Sequence, residues 1–149
     1  MNSASAETGP HEILLVEDNP ADVGLLTEAF GSGPAQHNLH VAADADQALA
    51  FLRREGEYAE APRPQLILLD LNLPGKSGLE VLAEIRRDKV FGRLPVVIVT
   101  SSRSETEIRN CYDLHCNAYM TKPPNFDGYV ELAQLISQYW FSFVQLPSC

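Results

Sequence analysis

Leu66-Ile67-Leu68-Leu69 is an unbroken run of large apolar residues that ends on a carboxylate, Asp70. Pro64 precedes the run and Pro74-Gly75 follows it, so it is a short segment bounded by turn signals. A strand with one face in water alternates apolar and polar residues, whereas a run without alternation is a strand covered on both faces. That requirement limits the chain to folds in which a sheet is buried between two layers. It also puts Asp70 where the strand leaves the core, at the edge where ligands of open α/β sheets bind. Ser77 with Glu80 forms a capping box, so a helix starts directly after the loop.

Other segments repeat this form. Ile13-Leu14-Leu15-Val16 runs into Glu17-Asp18, Pro95-Val96-Val97-Ile98-Val99 into Thr100-Ser101-Ser102, and Ala118-Tyr119-Met120-Thr121 into Lys122-Pro123-Pro124. Leu39 to Ala43 is a shorter, weaker strand. Helix starts fall between the strands: Asn19-Pro20, Asp44 with Gln47, Ser104 with Glu107, and Asn125. The first helix carries Val23, Leu25, Leu26, Ala29 and Phe30 and stops at Gly31-Ser32-Gly33-Pro34. The helix after Ser104 is poor in large apolar residues and is expected to be loosely held. Gly56 to Pro64 is a polar loop, longer than most connections. Strands alternating with helices in this way predict an α/β fold, a doubly wound five-stranded parallel sheet with right-handed crossovers.

The length of 149 residues fits one domain with a sizeable core. Residues 1–11 read as a disordered tail and 12–149 as a single domain with a C-terminal helix extension. The chain ends soon after the last helix, which leaves no room for an output module. A formal charge of −9, from 11 basic against 20 acidic residues, argues against nucleic-acid or anionic-membrane partners, because both need clustered Lys and Arg. No apolar run reaches membrane-spanning length and no signal-peptide core is present. Cys111, Cys116 and Cys149 are too few and wrongly spaced for a zinc site. The expected setting is the reducing cytoplasm.

The residues that leave the long strands are Glu17-Asp18, Asp70, Thr100 and Lys122, and in a parallel sheet all of them meet at one edge. Taken singly, each has a plain structural reading: an acidic pair at a helix start, a strand-end hydroxyl, a surface lysine. Taken together, three carboxylates repel one another unless a cation joins them. Few, hard oxygen ligands suit Mg²⁺, which keeps waters and accepts a phosphate oxygen. Lys122 supplies a point charge and Thr100 a hydroxyl donor for a phosphoryl group. An Asp carboxylate is itself able to accept a phosphoryl group as an acyl phosphate. The set therefore suits Mg²⁺-dependent phosphorylation of Asp70.

LLVEDNPAD, LILLDLNLPGKSG, VVIVTSS and AYMTKPP resemble the receiver domain of two-component response regulators, across roughly residues 12 to 143. The resemblance implies the flavodoxin-like strand order 2-1-3-4-5. It implies Asp70 as phosphoacceptor, Glu17 and Asp18 as metal ligands, and the backbone carbonyl of Asn72 as a further one. Thr100 and Lys122 then contact the phosphoryl group, and Tyr119 is the aromatic switch residue. Such a domain is a switch rather than an enzyme, beyond its own phosphorylation and dephosphorylation. GEYAEAPRPQLILLDLNLP, CYDLHCNAYMTKPPN and QYWFSFVQLPS resemble the stand-alone regulators that partner bacterial phytochrome histidine kinases. Two departures stand out. Glu17 replaces the more frequent Asp, and Ser102 offers no acid to orient a hydrolytic water.

A second class of function stays open, a small phosphatase or phosphotransferase that also uses an aspartyl phosphate. Such chemistry wants an acid two residues after the nucleophile, and Asn72 stands there. Cys111 and Cys116 read as packed thiols, and His40 and His115 as structural residues without acidic partners. Tyr139, Trp140, Phe141, Phe143 and Val144 exceed what one helical face buries in one domain. They are either the back of a long core helix or, as expected here, a homodimer surface.

Overall fold

The computed structural model describes residues 10–147. Five parallel strands, β1 (His11–Val16), β2 (His37–Ala42), β3 (Leu66–Leu69), β4 (Val96–Thr100) and β5 (Ala118–Thr121), lie in the order β2-β1-β3-β4-β5. Five helices connect or follow them: α1 (Pro20–Gly31), α2 (Ala45–Arg53), α3 (Gly78–Arg87), α4 (Glu105–Asp113) and α5 (Phe126–Gln138). Most of the tail expected over residues 1–11 lies outside the described residues, as does Cys149; His11 already belongs to β1. Among the described residues no helix is long and apolar enough to cross a membrane.

The unbroken apolar runs have the cause expected of them. Alternate residues of each strand feed two separate cores. Leu14, Val16, Ile67, Leu69, Val96 and Ile98 pack with α2 and α3 on one face. Ile13, Leu15, Leu66, Leu68, Val97 and Val99 pack with α1 and α5 on the other. All four residues of β3 are fully buried, since β3 is the middle strand.

Caps anticipated from the sequence form, with two variations. Ser77 and Glu80 make the reciprocal capping box. Asp44 accepts from the Gln47 N–H, but the Gln47 side chain returns to the N–H of Ala43 rather than to the cap itself. Ser104 caps α4, while the Glu107 carboxylate accepts from the Ser102 hydroxyl. α4 buries Cys111 alone, in keeping with its apolar poverty. The N–H of Cys116 donates to the Cys111 carbonyl and that of His115 to Tyr112, with His115 at φ +68°. This is a Schellman ending, which brings the two thiols together as packing groups.

Two expectations need correction. His40 does have an acidic partner: its Nε2 lies 2.6 Å from Glu12 Oε1, a pairing across β1 and β2 that sequence spacing does not reveal. The aromatic run after α5 is not one exposed face. At Gln138 the helix widens into a π turn over Tyr139–Phe143, which changes the angular step between side chains. Trp140 and Phe141 turn inward onto the α1–α5 core, while Tyr139 and Phe143 are 58% and 78% exposed.

Candidate functional site at the carboxyl edge of the sheet

Backbone pairing brings the strand-end residues together. The N–H of Asp70 donates to Val16 O at 3.0 Å, and that of Lys122 to Thr100 O at 2.8 Å, so the ladder carries on past the ends of β1, β3, β4 and β5. Glu17, Asp70 and Thr100 are the three buried polar residues of the described chain, at 2%, 4% and 0% exposure. Gly78 opens α3 against this edge. A Cβ there would sit 2.3 Å from the Asp70 carbonyl oxygen, so only glycine lets the helix start so close to the site.

The Lys122 ammonium is the centre of the cluster. Its Nζ lies 2.8 Å from Glu17 Oε1, 2.9 Å from Asp70 Oδ2 and 2.7 Å from Asp22 Oδ2. Burial alone would lower the pKa of this lysine, but the hydrogen bonds to Asp22, Glu17 and Asp70 outweigh burial and raise it, keeping the ammonium charged. Glu17 moves the other way from its usual range. Burial pushes its carboxyl up to about 7, helped by the Asp70 charge and opposed by Lys122 and the Asn19 N–H. The cluster holds four carboxylates (Glu17, Asp18, Asp22, Asp70) against one ammonium, and the most buried carboxylate carries the strain of that excess.

Sequence reasoning missed Asp22 and Tyr129. Asp22 stands in the first turn of α1, four residues after Asp18, so it faces the same edge; that spacing was the available signal. Tyr129 of α5 donates its hydroxyl to Asp22 Oδ1 at 3.3 Å, and burial beside that carboxylate pushes the phenol up to about 12.

The donor set fits a hard divalent cation. One carboxylate oxygen from each of Glu17, Asp18 and Asp70 lies within 4.8 Å of the others, with Asp18 exposed to solvent. Few oxygens with one open side match the Mg²⁺ or Mn²⁺ habit of keeping waters, and a 2+ charge offsets the acidic excess. The Asn72 N–H donates to Asp70 Oδ1 at 3.3 Å, which fixes the carboxylate and brings the Asn72 backbone beside it. Thr100 is buried, its hydroxyl oxygen 3.5 Å from the Ser102 N–H. Tyr119 donates its hydroxyl to the Ser102 carbonyl at 2.9 Å, so the ring is tethered to the loop that leaves β4. The five strand-end positions converge as expected, and Tyr119 lies next to them.

Comparison with known proteins places this geometry. The chain is 45% identical over 139 residues to the response regulator Rcp1 of Synechocystis sp., covering 93% of this chain and 95% of Rcp1. The crystal structure of the phosphorylated cyanobacterial phytochrome response regulator RcpA superposes with a TM-score of 0.89 at 46% identity, over 94% of this chain and 100% of that one. The Mn²⁺-bound form of Rcp1 gives 0.85 at 45% identity, over 93% and 100%. The response regulator receiver domain matches residues 13–134, which take in β1 from Ile13 onward, the other four strands and the whole acidic edge. By its sheet order, its lysine-bridged carboxylates and these likenesses, the chain belongs to the response regulator receiver family.

Proposed function

We propose that the chain accepts a phosphoryl group on Asp70 from a sensor histidine kinase and relays the signal by changing its protein contacts. The carrying observation is the Lys122 bridge, which holds the buried Asp70 carboxylate 2.9 Å from a permanent positive charge at the sheet edge. In this reading one Asp70 oxygen attacks phosphorus as the P–N bond to the kinase's histidine breaks and its imidazole leaves, while Lys122 and the Thr100 hydroxyl bind the equatorial oxygens. Glu17, Asp18, Asp70 and the Asn72 backbone carbonyl would hold Mg²⁺, which neutralises phosphoryl charge when bound. The phosphoryl group then competes with Asp70 and Asp22 for Lys122. Thr100 shifts toward the new oxygens, and the Tyr119–Ser102 tether carries that shift to α4. Likeness to RcpA and Rcp1 supports a phytochrome-type kinase as the donor, and the acidic balance supports protein partners in the cytoplasm rather than nucleic acid.

Incubation with Mg²⁺ and a small acyl phosphate tests the assignment by intact mass. One phosphoryl adduct is expected, absent in Asp70→Asn and greatly reduced when Mg²⁺ is chelated; an undiminished adduct on Asp70→Asn overturns it.

A homodimer through the end of α5 belongs to the same proposal. Leu135, Tyr139 and Phe143 leave apolar surface at the end of α5 and on the π turn, 53%, 58% and 78% exposed. Beside it runs a groove of about 410 Å³ lined by Ala118, Met120, Leu135, Ile136, Tyr139 and Trp140. Sedimentation is expected to show association that Phe143→Ser weakens; a wild-type monomer at tens of micromolar, with and without phosphodonor, refutes it.

A further inference from the structure

At the opposite edge of the sheet, His11 and His37 stand side by side in register on β1 and β2, ring centroids 5.2 Å apart. Phe141 lies flat on His11, with centroids 4.1 Å apart and planes within 6°, and 5.8 Å from His37. Phe30 meets His37 edge-on at 5.2 Å. The Nδ1 atoms of both histidines are buried and unpartnered, the only such side-chain nitrogen or oxygen atoms among the described residues.

No described charge faces the pair. On β1 the neighbouring Glu12 points to the other side of the sheet, where it accepts from Asn38 Nδ2 at 3.0 Å and meets His40 Nε2 at 2.6 Å. α1 contributes Ala29 and Phe30 and keeps Glu28 exposed. The connection over residues 32–36 has no titratable side chain, and neither does the chain from 132 to 138. In the π turn the facing groups are Phe141 and Ser142. Burial holds both imidazoles below their ordinary pKa, and for His37 the neighbouring His11 adds to it.

We propose that the His11–His37–Phe141 cluster is a proton-gated latch, in which protonation of the two imidazoles releases the π turn from the β1–β2 edge. A neutral imidazole tolerates an apolar neighbour on its face. An imidazolium has two N–H donors, and here at least one of them is buried without an acceptor. A single cation can rest on the Phe141 ring face, but a second one 5.2 Å away repels it in a setting with no facing carboxylate. His40 is the built-in contrast, because Glu12 Oε1 stands 2.6 Å from its Nε2 as a partner. The way out is open: beside His37 runs a groove of about 350 Å³, lined by Phe30, Gly33, Ala133, Ser137, Gln138 and Ser142 among others. Water that enters there reaches the imidazoles once Phe141 lifts.

Trp140, the chain's single tryptophan, sits on the latch and reports it. The full chain is titrated from slightly alkaline to mildly acidic pH. Trp140 emission is followed alongside amide exchange over residues 137–147 and the imidazole resonances by NMR. Below the ordinary imidazole value of about 6.5, emission is expected to shift to the red. The opening constant of the amides over 137–147, obtained from exchange divided by the intrinsic rate at each pH, is expected to rise by up to about a hundredfold per pH unit, the limit for two linked protons, with β3 and β4 unchanged. The double variant His11→Phe, His37→Phe should lose the response and His40→Gln should keep it. The same red shift in the double variant overturns the latch. Should that variant not fold, wild-type imidazoles that titrate at the ordinary value while Trp140 stays unmoved overturn it equally.

Discussion

The two ends of the sheet bury polar groups in opposite ways. At the carboxyl edge Glu17, Asp70 and Lys122 are nearly inaccessible, and a hydrogen bond or ion pair satisfies each of them. At the amino edge His11 is stacked on Phe141, His37 lies tilted beside them, and both are unpartnered at Nδ1. Charge holds the first site together, so it responds to charge that arrives from outside, as a cation or a phosphoryl group. Shape holds the second, so it responds to a proton that makes its own groups incompatible with that shape. In both cases one group carries the response: Lys122, which three carboxylates share, at one end, and Phe141, against which the imidazoles pack, at the other.

The largest expected effect comes from removing Lys122. Lys122→Met leaves Glu17, Asp22 and Asp70 facing one another without a counterion. Breaking a buried ionic cluster in this way costs about 3–5 kcal/mol. Urea unfolding near neutral pH with chelator present should show that loss, and Mg²⁺ should recover more of it than it adds to wild type. An unchanged midpoint would mean that the carboxylates are not held as charges. A smaller effect comes from backbone proximity. Gly78→Ala forces a Cβ to within 2.3 Å of the Asp70 carbonyl oxygen, whereas a Cβ on Gly33, beside the histidine edge, meets nothing within 4 Å. Overpacking costs about 1–3 kcal/mol, and a surface change less than about 0.5. Equal effects at the two glycines would remove the claim that α3 starts against the site.

What the sequence disclosed follows from which forces are local. The runs ending at Val16, Leu69 and Val99 announce buried parallel strands because burial on both faces abolishes alternation. Ser77, Asp44, Ser104 and Asn125 announce helix starts because a cap is a contact within three or four residues. Glu17, Asp18, Asp70, Thr100 and Lys122 are legible for the same reason, each being the residue that leaves its strand. Asp22 and Tyr129 are helical residues, and their part depends on how α1 and α5 are turned about their axes. The His40–Glu12 pair and the His11–His37 stack depend on strand register, which no window of one strand contains. The aromatic run misled because a π turn breaks the helical spacing that sorted its residues onto faces.

The smallest effect separates stacking from mere coverage at the histidine edge. Phe141→Ala removes the ring from His11, and an aromatic pair of this kind contributes about 0.5–1.5 kcal/mol beyond area. The sign of the pH dependence is the sharper readout. His11 and His37 have folded pKa values below the unfolded one. As pH falls through the unfolded value, the unfolded chain takes up protons first. The stability these residues contribute is thus complete above about 6.5 and is lost progressively as pH falls toward the folded values. Without Phe141, water reaches both rings, their pKa values return toward the ordinary one, and the acid limb of the stability curve flattens. Phe141→Ala is therefore expected to be less stable than wild type at neutral pH and to lose less of its stability on acidification, so that the two unfolding curves converge. Parallel curves would show that Phe141 only covers the edge and that the histidines are desolvated by the rest of the fold.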